Sequence, residues 1–419
     1  MPDLDERAAV RRLHDRFCFG PRPGDLDRGF ADTVDRLLAP ATAATPGLTL
    51  SPPVVAKGDR EARKDANRQR AADEKTLTGW WLERMVATDT ATERLTWFWH
   101  GHFATSEQKV RSPWHMLAQN EKFRRSGLDG FPALAREMVV DPAMLLWLDG
   151  NDNRAGSPNE NLAREFLELF TLGIGHYAEQ DVREAARALT GWTVRRDSAE
   201  AELVARRHDD KPKTILGVTG AFTAQSFVDT VLARRESAEF VVGRLWFRLV
   251  SATPPAPGAL ARLVAAYRED IGSVLRAIAA EPAFRDQATT LVKQPVEWAV
   301  GLMRALGVSW ESLDDKAVKQ FGNGLRGMGQ LPFRPPSVGG WAAGGAWLTT
   351  AAGVARLKVA QLIAERADLR SVTGVDAIRE RLGVDAWSDR TRDALAKVAD
   401  HPGQLAAVAA CAPEYVVSR

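Results

Sequence analysis

Apolar residues recur along most of the chain every three or four positions, the spacing that gathers them on one side of a helix. Leu77, Trp80, Trp81, Leu82 and Met85 form one such run, and TERLTWFWHGHF, residues 92–103, forms a second; both predict buried helices. Two helices are expected within 6–38, divided by the turn Gly20-Pro21-Arg22-Pro23-Gly24, with Asp25 placed to cap the second. Residues 39–56 are small and Pro-rich and read as a loop or an extended crossing segment, whereas the interleaved charges of 58–75 suggest a solvated helix face. Helical patterns follow over 112–125 and 131–148, the latter broken at Asp141-Pro142, and again over 178–190, 224–250, 258–270, 272–281 and 293–306. A Gly/Pro-rich segment, 322–346, precedes an Ala-rich helical end, 349–415, expected at the periphery. Between 191 and 222 the helical period lapses, and Thr193-Val194 and Thr214-Ile215-Leu216 predict short strands or extended arms. The pattern therefore predicts a mainly α, multi-helical globular protein with a short irregular or β-containing insertion near 191–222. An N-terminal helical lobe (1–190) holding the candidate site, a connecting segment (191–222) and a C-terminal helical lobe (223–419) are expected, and one continuous domain fits the same pattern.

The densest polar patch is Ser157–Gly175, SPNENLAREFLELFTLGIG. Ser157, Pro158 and Glu160 have the spacing of a capping box, and Gly173 supplies a left-handed residue to end the helix. On a helix, Leu162, Phe166, Leu169 and Phe170 share one side, while Glu160, Asn161, Arg164, Glu165 and Glu168 share the other. That second face is either a solvated surface or the wall of a polar site.

Composition narrows the classes. The 419 residues are 45% hydrophobic and 26% charged, with a net charge of +2, so neither nucleic acid nor an anionic membrane is indicated. No uncharged apolar run approaches the roughly 18 residues of a membrane span. Cys18 and Cys411 stand alone near opposite ends, as reduced thiols would. The start, MPDLDERAAVRRLHDRF, lacks the apolar core of a secretion signal, and a cytoplasmic protein is expected. Thirteen Trp against three Tyr is unusual; the indoles either fill a helical core or line a polar-edged cavity.

Three groups could carry chemistry. His100 and His102 flank Gly101; on an intact helix they point apart, and they reach one metal only if the helix ends at Gly101. Asn161, Glu165 and Glu168, spaced i, i+4 and i+7, can point into one volume, as inward-facing ligands of helical metal proteins do. His208-Asp209 could add a ligand or an oriented acid/base pair. The alternatives are hydrogen-bonded core histidines, a solvated acidic face and an exposed loop. Residues 339–347, GGWAAGGAW, lack a phosphate-cradle pattern.

Four stretches together carry a family resemblance: Trp97-Phe98-Trp99-His100-Gly101-His102-Phe103; SPNENLARE (157–165) with Glu168-Leu169-Phe170-Thr171-Leu172-Gly173; Ala188-Leu189-Thr190-Gly191-Trp192 with His208-Asp209; and Pro335-Pro336-Ser337-Val338-Gly339-Gly340-Trp341. In this order and spacing the chain resembles the bacterial family catalogued as domain of unknown function 1800, from about Ala9 to about Leu357. Many relatives carry Asn where this chain has Ser337 and Ala where it has Gly339, and many look exported, often encoded beside a sulfatase-like partner. The resemblance implies no established activity. The residues themselves suggest a metal-dependent enzyme acting on a small organic substrate, with His100, His102 and Glu165 or Glu168 as ligands of a divalent metal. Asn161 or Arg164 would support them, and Arg164, His208 and Asp209 could take part in catalysis. Histidine and carboxylate without thiolate favour iron and oxidative chemistry over hydrolysis. A non-catalytic helical scaffold, or a protein binding a protein partner, with a buried polar network is the alternative.

Overall fold

The structure is a computed structural model that describes residues 3–41, 46–53, 60–195, 197–198, 200–268 and 270–419. Positions 42–45 and 54–56 of the expected loop, and 58–59 of the expected charged helix, lie outside the described residues. Helices make up 61% of the structure, with only a few short strands, so the mainly α expectation holds. Among the described residues no helix is long and apolar enough to cross a membrane.

The insertion near 191–222 folds as two small hairpins. Trp192–Val194 pairs antiparallel with Ala201–Leu203, and Lys213–Ile215 with Val218–Gly220. A third pair joins Leu291–Val292 to Val417–Ser418. The C-terminal end is therefore not peripheral. Val359, Ile363, Leu405 and Tyr415 are buried in the same apolar cluster as Trp81 and Trp298, because the Ala-rich faces of 350–364 and 402–410 allow close helix packing.

Two apolar clusters organise the interior, and each draws residues from both sides of 191–222. The first gathers the end of the long helix Arg60–Ala87, the helices Pro295–Leu306, Asp315–Gly327 and Thr350–Ala364, and the loop around Phe333 and Trp341. The second gathers helices between 6 and 38, 113 and 147, 161 and 188, and 224 and 280. The helix Thr92–His102 runs between them, and nine of its eleven residues are buried. Trp97 enters the first cluster; Leu95, Phe98 and Trp99 enter the second.

Two helix starts differ from the sequence reading. The second helix begins at Phe30, not after Asp25, and its first N–H is taken by Glu6 at 2.7 Å. Asp25 is drawn away by the Arg22 N–H and by Arg36. Ser157 caps nothing. It bridges to Arg154, and the helix begins at Asn161. The reason is the buried Asn153, whose Oδ1 accepts the Asn159 N–H at 2.9 Å while its Nδ2 donates to Ala186 O at 2.9 Å. Asn159 Oδ1 then accepts the Asn161 N–H. The helix widens to π geometry over Phe166–Thr171 and stops at Gly173, φ +85°, as the glycine predicts.

The loop that carries Trp341 meets the central helix backbone to backbone. A Cβ on Gly340 would lie 2.3 Å from Gly101 O, and Gly340 has φ +78°. Both effects forbid a side chain there. Gly340→Ala is expected to cost about 2–4 kcal/mol in chemical denaturation. Gly345→Ala, with open space around its Cβ position, is expected to stay within about 0.5 kcal/mol of the parent.

Candidate functional site

The central helix continues through His102, so the two imidazoles diverge. His100 lies among Trp81, Trp97, Phe333 and Trp341, with ring centroids 5.2–6.2 Å away. Its Nε2 accepts the Phe333 N–H at 3.1 Å, which places its proton on Nδ1. Phe333 has φ +62°, so His100 helps to hold a strained residue. His102 lies among Phe98, Trp99, Phe103, Phe131, Phe170 and Phe240. Its Nε2 faces Phe170 O at 2.9 Å and must donate, which leaves Nδ1 as a buried lone pair without a partner. Phe170 O belongs to the last turn of the π segment, where carbonyls lack intrahelical N–H partners. Burial pushes both imidazoles down to about 3; for His102, Arg244 and Arg248 add to the effect.

The polar face of 161–171 is half-buried. Arg164 pairs with Glu160 at 3.1 Å, as the i, i+4 spacing predicts, and with Glu179 at 2.7 Å. Glu168 accepts the Tyr177 hydroxyl. The Glu165 carboxyl is raised, first by burial and then by the neighbouring charge of Glu168. Asn161 stands at the helix start, its N–H held by Asn159.

His208 and Asp209 join the second hairpin to the helix Glu179–Ala188. His208 Nδ1 lies 2.9 Å from Thr190 O, and Asp209 N–H donates to Thr190 Oγ1 at 2.8 Å. Asp209 accepts from Arg187 at 2.8 Å, and Arg187 holds its carboxyl below the usual range. Gly191, φ +94°, lets His208 approach; a Cβ there would lie 3.0 Å from His208 N. The structure thus places His208-Asp209 with Arg187 and Thr190, and the two histidines of 97–103 in separate aromatic cages. Among the described residues no three His, Cys, Asp or Glu are grouped as metal ligands.

Sequence reasoning missed a polar seam between the two clusters. Arg94 donates from Nε to Arg16 O at 3.0 Å and pairs with Glu297. Arg16 binds the carbonyls of Leu249, Val250 and Ser418 at 2.8–3.2 Å, and Lys293 pairs with Asp15 at 2.9 Å. Arg248 donates to Trp341 O and Ala342 O at 2.8 and 3.1 Å. Burial pushes Arg16 down to about 9 and Arg248 down to about 10; both stay cationic at neutral pH. The contributing residues are scattered from 15 to 418, so no local motif marks them. The only sequence signal is arginine inside apolar runs, in TERLTWFW and FVVGRLWFRLV.

A helical fold with two apolar clusters, a polar seam and histidines embedded in aromatic cages defines a mainly α protein with a charged interior. The family model described as "Protein of unknown function (DUF1800)" matches residues 12–417, and the chain belongs to that family. The match runs beyond the expected limit near Leu357 to the last strand, in keeping with the buried C-terminal helices. No curated protein and no solved structure matches the chain.

The cages give the protein a pH signature. His100 and His102, down to about 3, and His14, down to about 4, stay neutral in the folded state well below the ordinary value near 6.5. The unfolded chain takes these protons first, so each histidine's contribution is complete above about pH 6.5 and is lost progressively towards its folded value. Each accounts for about 1.4 kcal/mol of lost stability per pH unit in that window. His100→Gln keeps an acceptor for Phe333 and removes one titration. Urea denaturation between pH 6 and 4 should therefore show a slope shallower by about that amount.

Proposed function

We propose that this protein is a non-catalytic helical scaffold that binds a partner, with its buried polar network fixing helix register. The supporting observation is that His100 and His102 are each committed to a backbone group inside a different aromatic cage. Phe333 N–H and Phe170 O would be left unpaired if either ring turned towards a metal. Two open clefts lie outside these cages and have the size of ligand or peptide sites. One, about 600 Å³, includes Arg84, Asp89, Glu93, Arg124 and Arg276 in its walls. The other, about 540 Å³, sets Leu82, Trp310, Val318 and Leu331 beside Lys75 and Lys319. A cytoplasmic location, in keeping with the free thiols of Cys18 and Cys411, belongs to this reading.

The second reading is a metal-dependent enzyme acting on a small organic substrate, with iron the favoured metal. The raised carboxyl of Glu165 beside Glu168 favours it, since a bound cation would relieve their repulsion. Elemental analysis of the purified protein, repeated on His100→Ala and Glu165→Ala, decides between the two. The scaffold reading expects no stoichiometric metal. It also expects a loss of about 2–4 kcal/mol in His100→Ala, from an unpaired Phe333 N–H and a core cavity, and a change within about 1 kcal/mol in Glu165→Ala. About one metal ion per chain, lost in both variants, would overturn it.

A further inference from the structure

The seam between the clusters contains two small crevices that share Arg94, Arg248, Gln294 and Glu297. The first, about 20 Å³, is lined by Trp97, Gly101 and Trp341; the second, about 30 Å³, extends to Arg16, Lys293 and Ser418. Each is the size of one or two water-sized occupants. Four cations, Arg16, Arg94, Arg248 and Lys293, face two carboxylates, Asp15 and Glu297. Lys293 is matched by Asp15 and Arg94 by Glu297. Among the described residues, Arg16 and Arg248 hydrogen-bond only to neutral acceptors, namely backbone carbonyls and, for Arg16, the Ser418 hydroxyl. Beyond them Arg244, close enough to lower Arg248 further, has its Nε buried with no partner. Trp341 is 4% exposed, and its indole N–H is buried without an acceptor.

Arg16, Arg94 and Lys293 are buried and Arg248 is half-buried, and four cations beside two carboxylates leave a positive excess that a small anion would offset. We infer that the crevice beside Arg94, Arg248 and Trp341 is a binding site for a halide-sized monovalent anion. The guanidinium protons of Arg94 and Arg248 not used on Glu297 or on backbone carbonyls supply its donors, and Glu297 stays paired with Arg94. The occupant would sit where the central helix, the helix Arg235–Leu249 and the Gly340 loop meet, and so would cement the joint between the clusters. This site is independent of whether the protein is a scaffold or an enzyme.

The test is thermal unfolding of the full chain at fixed ionic strength while sodium gluconate is replaced by sodium bromide. The expected result is a saturable rise of the midpoint by about 2 °C. Arg248→Leu should abolish the saturable rise, and anomalous diffraction from bromide-soaked crystals should show a peak beside Arg94 and Arg248. A midpoint indifferent to the exchange, with no anomalous peak in the crevice, would overturn the inference. So would a rise of the same size and affinity in Arg248→Leu, which would put the anion elsewhere on the molecule.

Discussion

The structure depends on a helix that has almost no solvent-facing side. Thr92–His102 lies between two apolar clusters, yet it carries Glu93, Arg94, Thr96, His100 and His102, and each polar group must find its partner inside the protein. Glu93 takes Trp81 Nε1, Arg84 and Arg124; burial alone would raise its carboxyl, and these donors instead hold it below the usual range. Arg94 takes Glu297 and Arg16 O, Thr96 takes Thr92 O, His100 takes the Phe333 N–H, and His102 gives to Phe170 O. These bonds reach the helices 60–87, 113–126 and 295–306, the N-terminal helix, the Phe333 loop and the π segment. Satisfying one buried helix therefore ties each of these elements to it.

The four stretches that carry the family resemblance meet in two assemblies. The histidine stretch and the loop ending at Trp341 meet through the Gly101–Gly340 contact and the stacked rings of Trp97 and Trp341, 4.7 Å apart. The Asn-rich stretch, the Thr190-Gly191 turn and His208-Asp209 meet around Asn153: its Oδ1 holds Asn159, its Nδ2 holds Ala186, and its carbonyl accepts the Gly191 N–H at 3.0 Å. In both assemblies glycines remove side chains where backbones touch, and polar side chains serve backbone groups. His100, His102, His208 and Asp209 each hold such a contact between separate segments.

Much of the fold was legible because it rests on local periodicity. The helical class, the break at Asp141-Pro142, the stop at Gly173 and the short strands at Thr193 and Thr214 all follow from residues close in sequence. The cap at Ser157 failed because a buried Asn153, four residues before it, captures the chain first. The Asp25 cap failed because Glu6, the first residue of the N-terminal helix, supplies the carboxylate. The periphery expected for 349–415 failed because Ala-rich faces read as weakly amphipathic although they pack most closely. At the candidate site, the divergence of His100 and His102 was readable from their i, i+2 spacing once the helix is known to continue. The polar seam was not, since its charges come from opposite ends of the chain.

The central claim is that the two histidines of 97–103 are neutral partners of backbone groups. Nitrogen-15 NMR of the imidazoles, recorded before and after treatment with a chelator and with added iron, tests it most directly. The account predicts opposite tautomers, protonated at Nδ1 in His100 and at Nε2 in His102, unchanged by chelator or metal and persisting below pH 5. Matching shifts of both rings on chelation or iron addition would contradict it.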